Sequence, residues 1–350
     1  MPYEDKTISE REQIILQAIV RSYITTAEPV GSRAIVKRFE LDLSPATVRN
    51  VMADLEEAGY LQQLHTSSGR VPTDRGYRYY VDYLMRVQEV TVAERVRIEA
   101  ELSSKLNDAD EVLRQTSQIL ALITHQTGIV KAPDESAGEV RYIEIAPVAA
   151  TRAAVLIADS YGRVHTVMVP LTNPLNADEA QKLNAFLNDH LRGIPLDRFA
   201  STVQQKMVNL LDDHRRLAEQ ALQLLNLIPN NRPSQLYLEG ASQLFEQPEF
   251  RDVDKAREVF GFLEERDRLL EVLRKNVTDN DNETSVVIGS ESNDAGLKDI
   301  SVVASPYRVG DKTVGVLGIL GPRRMPYHRL TSIVEYTAGM LSRMLTKLAG

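Results

Sequence analysis

The stretch from Ser44 to Asp82 constrains the fold of this chain more than any other. It opens Ser-Pro-Ala-Thr-Val-Arg-Asn-Val-Met-Ala-Asp-Leu-Glu-Glu-Ala-Gly and, after a short interval, continues Ser-Ser-Gly-Arg-Val-Pro-Thr-Asp-Arg-Gly-Tyr-Arg-Tyr-Tyr-Val-Asp. Ser44 has the side chain of an N-cap, and Pro45 suits the first turn, where its missing amide hydrogen had no partner to lose. A helix therefore starts here. Val48, Val51, Met52, Leu55 and Ala58 recur as a single buried stripe, which turns Ala46, Thr47, Arg49 and Asn50 toward or near the opposite face. Gly59 ends the helix, and Tyr60 to His65 and Arg70 to Thr73 read as two short strands around Thr66-Ser-Ser-Gly69.

Upstream, Ser9 and Glu12 form a capping box, and Ile15, Ala18, Ile19 and Ser22 carry a helical stripe. Gly31 and Ser32 open a short second helix with Ile35, Val36 and Phe39 facing inward. Three helices within about 50 residues, then a hairpin, is the order of a helix-turn-helix with a wing. A small helical bundle with a polar loop is the competing reading. Charge does not choose between them: residues 1–85 hold ten Lys and Arg against twelve Asp and Glu. Without a broad basic field, a nucleic-acid role must rest on a few side chains. The start of the helix at Ser44 carries the right ones. Helix N-terminal residues face base edges in the major groove, arginine pairs bidentately with guanine, and asparagine does so with adenine. Arg49 would instead be structural if it paired with Asp54 or Glu56. Ser67, Ser68 and Arg70, around a flexible glycine, suit phosphate or minor-groove contact. Arg75 and Arg78 suit either phosphate contacts or ion pairs, and Tyr77, Tyr79 and Tyr80 read as core.

The chain as a whole is an ordinary globular sequence of 350 residues, 43% hydrophobic, with net charge -8. There is no cysteine, which excludes disulfides, thiolate metal sites and a cysteine nucleophile. The polar, acidic N-terminus lacks the order of a signal peptide, and the longest apolar run, Ile145 to Ala158, is interrupted by Arg152. A cytoplasmic protein is expected. One long amphipathic helix is expected from Val92 to Thr124, marked by Val96, Leu102, Leu106, Leu113, Leu120 and Ile123. Strands follow at Val140–Ile145, Ala153–Ile157 and Val164–Val169, then helical sequence from Asn176 to Ile228 and from Val253 to Lys275. Further strands are expected at Ser285–Ile288, Ile300–Ala304 and Thr313–Leu320, and a closing helix at Tyr327–Leu348. The six histidines are scattered without metal-ligand spacing, and Gly315, Gly318 and Gly321 match no phosphate loop. No nucleophile elbow is present, so no catalytic, metal-binding or cofactor-binding residues are assigned and an enzyme is disfavoured.

Several segments together resemble the HrcA family of heat-inducible transcription repressors. They are Pro29-Val-Gly-Ser-Arg33, Ser44 to Gly59, Ser67 to Asp82, Ile288-Gly-Ser-Glu291 and Gly321-Pro-Arg-Arg-Met-Pro-Tyr327. The chain departs from the family pattern at Val51, Ser292 and Arg323, none of which belongs to the expected DNA-binding set. The resemblance covers essentially the whole chain and implies an α+β multidomain protein. Its expected parts are a winged helix at 1–85, a linker helix and first part of a GAF-like domain at 86–175, an inserted, mostly helical dimerisation domain at 176–235, and the second part of the GAF-like domain at 236–350. It implies a homodimer that binds the inverted-repeat CIRCE operator of chaperone operons and depends on the GroEL chaperonin for activity. DNA binding is expected at Arg33, Ser44, Ala46, Thr47, Arg49, Asn50, Ser67, Ser68 and Arg70. A small-molecule-responsive repressor using the GAF-like domain as sensor is the alternative.

Overall fold

The computed structural model describes residues 8–65, 68–103, 108–134, 138–171, 174–196, 199, 202, 235–278, 283–292 and 294–349. Ser67, Leu106 and the expected helical sequence from 203 to 228 lie outside them. The first element, α1 (Glu10–Thr26), starts at the Ser9–Glu12 capping box, and Ile15, Ala18, Ile19 and Ser22 are buried along one side. Next come α2 (Ser32–Phe39) and α3 (Pro45–Glu57), the latter capped by Ser44 Oγ, which accepts from Thr47 N at 3.1 Å. Val48, Val51, Met52 and Leu55 are buried on the inner face of α3. The hairpin is β1 (Leu61–Gln63) against β2 (Arg70–Pro72), antiparallel. Thr73 then caps α4 (Asp74–Tyr79), which runs into a π-helical turn at Tyr80–Leu84.

The expected helix at 92–124 is two helices, α5 (Val92–Ser103) and α6 (Ala109–Thr124), the second opened by Asp108, whose carboxylate accepts from Asp110 N. Val96, placed in the apolar stripe by spacing, is 59% exposed: the buried stripe of α5 is Ile98 and Leu102, one turn apart, and Val96 stands six residues before Leu102, on another face of the helix. Leu102, Leu113, Leu120 and Ile123 are buried as expected.

The strands sort into two larger sheets. β3 (Thr127–Lys131), β7 (Leu236–Glu239), β8 (Ser285–Ile288), β9 (Ile300–Val309) and β10 (Lys312–Pro322) make a five-stranded antiparallel sheet in the order β7-β3-β10-β9-β8. Its strands are covered on both faces, so they read as near-continuous apolar runs. Alternation still shows in the packing: Val303, Leu317 and Ile319 join α6 and the closing helix, while Val302, Ala304, Val316 and Leu320 pack with two helices from the middle of the chain. Those are α8 (Val253–Glu264) and α9 (Arg266–Thr278); the closing helix α10 spans Tyr327–Ala349.

β4 (Val140–Ala149), β5 (Arg152–Asp159) and β6 (Val164–Pro170) form a separate three-stranded sheet packed on α7 (Ala177–Leu191). Ile143, Ile145, Val155 and Ile157 meet Leu183, Phe186, Leu187 and Leu191 in a core of their own. Asn184 and Asn188, one helical turn apart, hydrogen-bond the backbone of edge strand β4 at Ile145 and Ile143, so α7 covers the edge as well as the face. The strands at 140–170, expected in the first part of the same domain as the C-terminal strands, thus pair among themselves and not with those strands. The strand that joins those is β3, immediately before, and its partner β7 lies across the intervening unit. Neither β3 nor β7 was expected from sequence.

The two units touch through the β5–β6 turn. Arg163, 1% exposed, donates to the Pro133 carbonyl at 2.9 Å and to Asp110 Oδ1 at 3.2 Å. No helix among the described residues is long and apolar enough to cross a membrane.

Candidate nucleic-acid interface

The N-terminal half of α3 presents Ala46, Arg49 and Asn50 to solvent, with Thr47 half-buried beside the cap. These positions are spaced three and four apart, so they form one outward face opposite the buried stripe. Arg49 makes no hydrogen bond or ion pair with any described residue; the structural reading, in which it pairs with Asp54 or Glu56, is not what the geometry holds. Glu56 is occupied elsewhere, by Arg70. Asp54 and Glu57 are exposed at the far end of the same helix, and their charge would repel a phosphate backbone. The helix is therefore polarised, with its amide-rich, arginine-bearing N-terminus as the end suited to a polyanion. Arg33 on α2 is likewise exposed and without a partner among the described residues.

The hairpin differs from expectation. Arg70 Nε donates to Glu56 Oε2 at 2.7 Å, with side-chain exposures of 20% and 33%, so this guanidinium braces the hairpin against α3. Its backbone exchanges two 2.9 Å hydrogen bonds with Val30, adding the chain before α2 to the edge of β2. Ser68 Oγ donates to the His65 carbonyl at 2.7 Å and accepts from His65 N at 3.0 Å, closing the turn. Gly69 is a tight fit, not a hinge: a Cβ there would lie 2.5 Å from the backbone of Val30. Ser44 spends its hydroxyl on the cap and on Thr47 Oγ1, 2.9 Å away.

Of the remaining expected cations, Arg75 donates to the Ala58 carbonyl at 2.8 Å and stacks 4.5 Å above the Tyr60 ring. Arg78 leaves the three-helix unit altogether. Its Nε donates to Glu291 Oε1 at 2.8 Å, and Asp82 and the Val286 carbonyl take the rest of the fork. Beside it, Asp74 accepts from Arg323 at 2.8 Å and from Ser290 Oγ at 2.7 Å. Arg324 reaches the Ile24 carbonyl at the end of α1. Tyr77 lies edge-on to Tyr327, ring centroids 6.1 Å apart, and burial pushes the hydroxyls of both well above the ordinary phenol range. The distant segments 288–291 and 321–327 thus form the seat on which the DNA-reading candidate sits. In sequence they are separate motifs, and the signal that joins them is complementary charge, Asp74 and Arg78 against Arg323 and Glu291.

Residues 110–331 match the family model described as HrcA protein C terminal domain. The chain belongs to the HrcA family. It is 41% identical over 338 residues to the heat-inducible transcription repressor HrcA of Geobacter sulfurreducens, covering 97% of this chain and 98% of that one. The corresponding repressor of Brevibacillus brevis is 38% identical over 339 residues, with the same coverage, and that of Pelotomaculum thermopropionicum 36% over 344 residues. HrcA relatives are named as transcription repressors, a family of regulators and not of enzymes. A solved structure titled as a hypothetical protein at 2.2 Å resolution superposes with a TM-score of 0.68 at 22% identity, covering 97% of this chain and 99% of that one, which supports the same mixed α/β architecture.

Proposed function

We propose that this HrcA-family chain acts in the cytoplasm as a homodimeric repressor of chaperone operons, each copy placing α3 of a winged helix in one half of the inverted-repeat CIRCE operator. The observation that carries this reading is the outward face of α3, where Arg49 and Asn50 stand exposed and Arg49 has no partner among the described residues, while Arg70, Arg75 and Arg78 are committed within the fold. Arg49 and Asn50 would read base edges, Ala46 would pack against them, and Ser44, Thr47 and Arg33 would lie nearest the phosphates. Ser68 and Arg70 are reassigned to holding the wing in place; Ser67, outside the described residues, keeps its expected phosphate contact. The five-stranded sheet with α6 and α8 to α10 corresponds to the GAF-like domain. The dimerising insertion corresponds to the span between β3 and β7, beginning near residue 138 instead of 176. Dependence on the GroEL chaperonin is carried over from the family resemblance.

A mobility-shift assay on the inverted repeat at fixed salt tests the operator reading. Arg49→Ala should cost about 1–3 kcal/mol per half-site, with discrimination against base changes lost at one position of each half; unchanged discrimination removes Arg49 from readout. Adding GroEL to the same reaction should raise the active fraction of repressor. A cleft of about 690 Å³ between Val81, Met85, Val286 and Glu335 favours a second reading, a small-molecule effector. A saturable rise in melting temperature with a metabolite, coupled to altered operator affinity, would support it.

A further inference from the structure

The contact between the three-helix unit and the five-stranded sheet has two chemically distinct parts. At its centre is an apolar seat: Tyr77 against Tyr327, with Tyr327 itself pinned by hydrogen bonds to Ser301 Oγ at 2.8 Å and to the Arg323 carbonyl at 2.6 Å. Around it runs a polar rim, in which Asp74 is gripped by Arg323 and by both the backbone and hydroxyl of Ser290, and Arg78 by Glu291. The rim is closely built. Gly289 sits at φ +51°, and a Cβ there would come within 2.7 Å of the Asp74 carboxylate and 2.9 Å of Arg323. Glu291 is itself oriented by accepting from Ile288 N at 2.8 Å.

These parts do different physical work. Apolar burial is non-directional and tolerates rotation of one surface over the other, whereas forked arginine–carboxylate bonds lose strength steeply when misaligned. Removing the rim would leave the unit seated but free to swivel. In a dimer that must present two recognition helices to one duplex, swivel matters more than loss of contact: the second half-site binds with an effective concentration that collapses if geometry forbids simultaneous engagement.

On the operator-binding reading above, we propose that Asp74 and Arg78 are positioning residues that lock the angle of the recognition helix relative to the sheet, and so set the operator half-site spacing the dimer accepts. They touch no DNA and act through Arg323, Ser290 and Glu291.

The test compares the full-length wild type with Asp74→Asn, the double variant Asp74→Asn/Arg78→Met, the charge-retaining Arg78→Lys, and Arg114→Met. The last removes an ion pair within α6, to Glu111, that shares no bond with the rim residues. Fluorescence anisotropy gives affinity for a duplex carrying a single half-site and for inverted repeats whose central spacer is lengthened or shortened by about one to four base pairs. The wild type should show a sharp spacer optimum. In the double variant, half-site affinity should stay within about twofold while affinity for the optimal repeat falls about tenfold or more and the spacer profile flattens. Asp74→Asn should show the same pattern in milder form and serves as the test if the double variant does not fold. Arg78→Lys, which keeps the charge but not the fork, should fall between the wild type and the double variant, and Arg114→Met should match the wild type. Because the chain has no cysteine, a spin label at Lys37→Cys reports directly on head orientation; the distance distribution between the two labels should broaden in the rim variants.

A rim variant that retains a sharp optimum and a narrow distance distribution overturns the proposal. So does an equal loss of half-site and full-site affinity, which would mean a direct or purely structural role. A wild type showing no preference for an inverted repeat over a half-site would instead overturn the operator reading itself.

Discussion

Removing Glu56 should create a phosphate contact that the wild-type protein lacks. Arg70 Nε lies 2.7 Å from the Glu56 carboxylate, and the pair is partly shielded, at 20% and 33% side-chain exposure. For such a pair the Coulombic attraction is largely offset by desolvation and side-chain ordering, leaving about 1 kcal/mol net. A DNA phosphate would have to displace Glu56 to reach Arg70, so in the wild type Arg70 should add nothing to the salt dependence of operator binding. Glu56→Ala frees the guanidinium at the edge of β2, on the hairpin that follows α3. One added phosphate contact steepens the dependence of log K on log salt by about 0.9, hence about 1.8 for a dimer. Between 50 and 200 mM salt that is roughly a further tenfold loss of affinity, starting from tighter binding at low salt. The assay is anisotropy of labelled operator over a salt series, with Arg70→Ala and the double variant completing a cycle. Arg70→Ala alone should leave the slope unchanged and cost about 1 kcal/mol of stability. If Arg70→Ala shallows the wild-type slope, Arg70 already touches DNA and the bracing role is wrong; if Glu56→Ala does not steepen it, the freed guanidinium reaches no phosphate and the predicted contact is refuted.

Tyr77 is buried and its hydroxyl has no hydrogen-bond partner among the described residues. Tyr77→Phe removes an unpaired polar group at the centre of the seat, so thermal unfolding should be unchanged or raised, by an amount equivalent to about 1 kcal/mol; a clear loss of stability would show that the hydroxyl is satisfied. His328 is held below its ordinary pKa of 6.5 by burial and then by Arg21 and Arg329. The fold therefore favours the neutral ring, and the stability associated with it is full above pH 6.5 and declines as pH falls below that value. Melting temperature followed from pH 7.5 to 5 should drop on the acid side, and His328→Gln should flatten that drop; an unaltered profile would exclude His328. Glu94 is also lowered, burial being outweighed by Thr91 hydrogen bonds and Arg329, but its contribution is lost only below its ordinary 4.5, outside this window.

Much of the architecture near the candidate interface was legible locally. The Ser9–Glu12 box, Ser44 as N-cap and Pro45 at the first turn set helix starts through bonds within four residues. The stripes of α1 and α3 follow from a 3.6-residue period. Strands β8 and β9 announce themselves by composition, and β10 by that together with the Gly310 turn. β3 and β7 did not, because Thr127–Lys131 contains a glycine and a lysine, and Leu236–Glu239 is only four residues long. Their stability comes from pairing with each other and with β10, which no local window contains.

The exposed polar face of α3, with Arg49 and Asn50 on it, was determined by the sequence alone, since helical periodicity and capping act over a single turn. Tertiary structure decided which arginines remain available to a partner. Arg49, Arg70, Arg75 and Arg78 are alike in sequence, but a guanidinium's role depends on which carboxylate or carbonyl lies within about 3 Å. For Arg70 that group is 14 residues away and for Arg78 it is 213. Packing also decided that β4 to β6 stand apart from the main sheet, because a strand's apolar alternation specifies that it has a buried face and not which surface covers it. For this chain those covers are α7 on the smaller sheet and, on the larger, α6 and α10 on one face with α8 and α9 on the other.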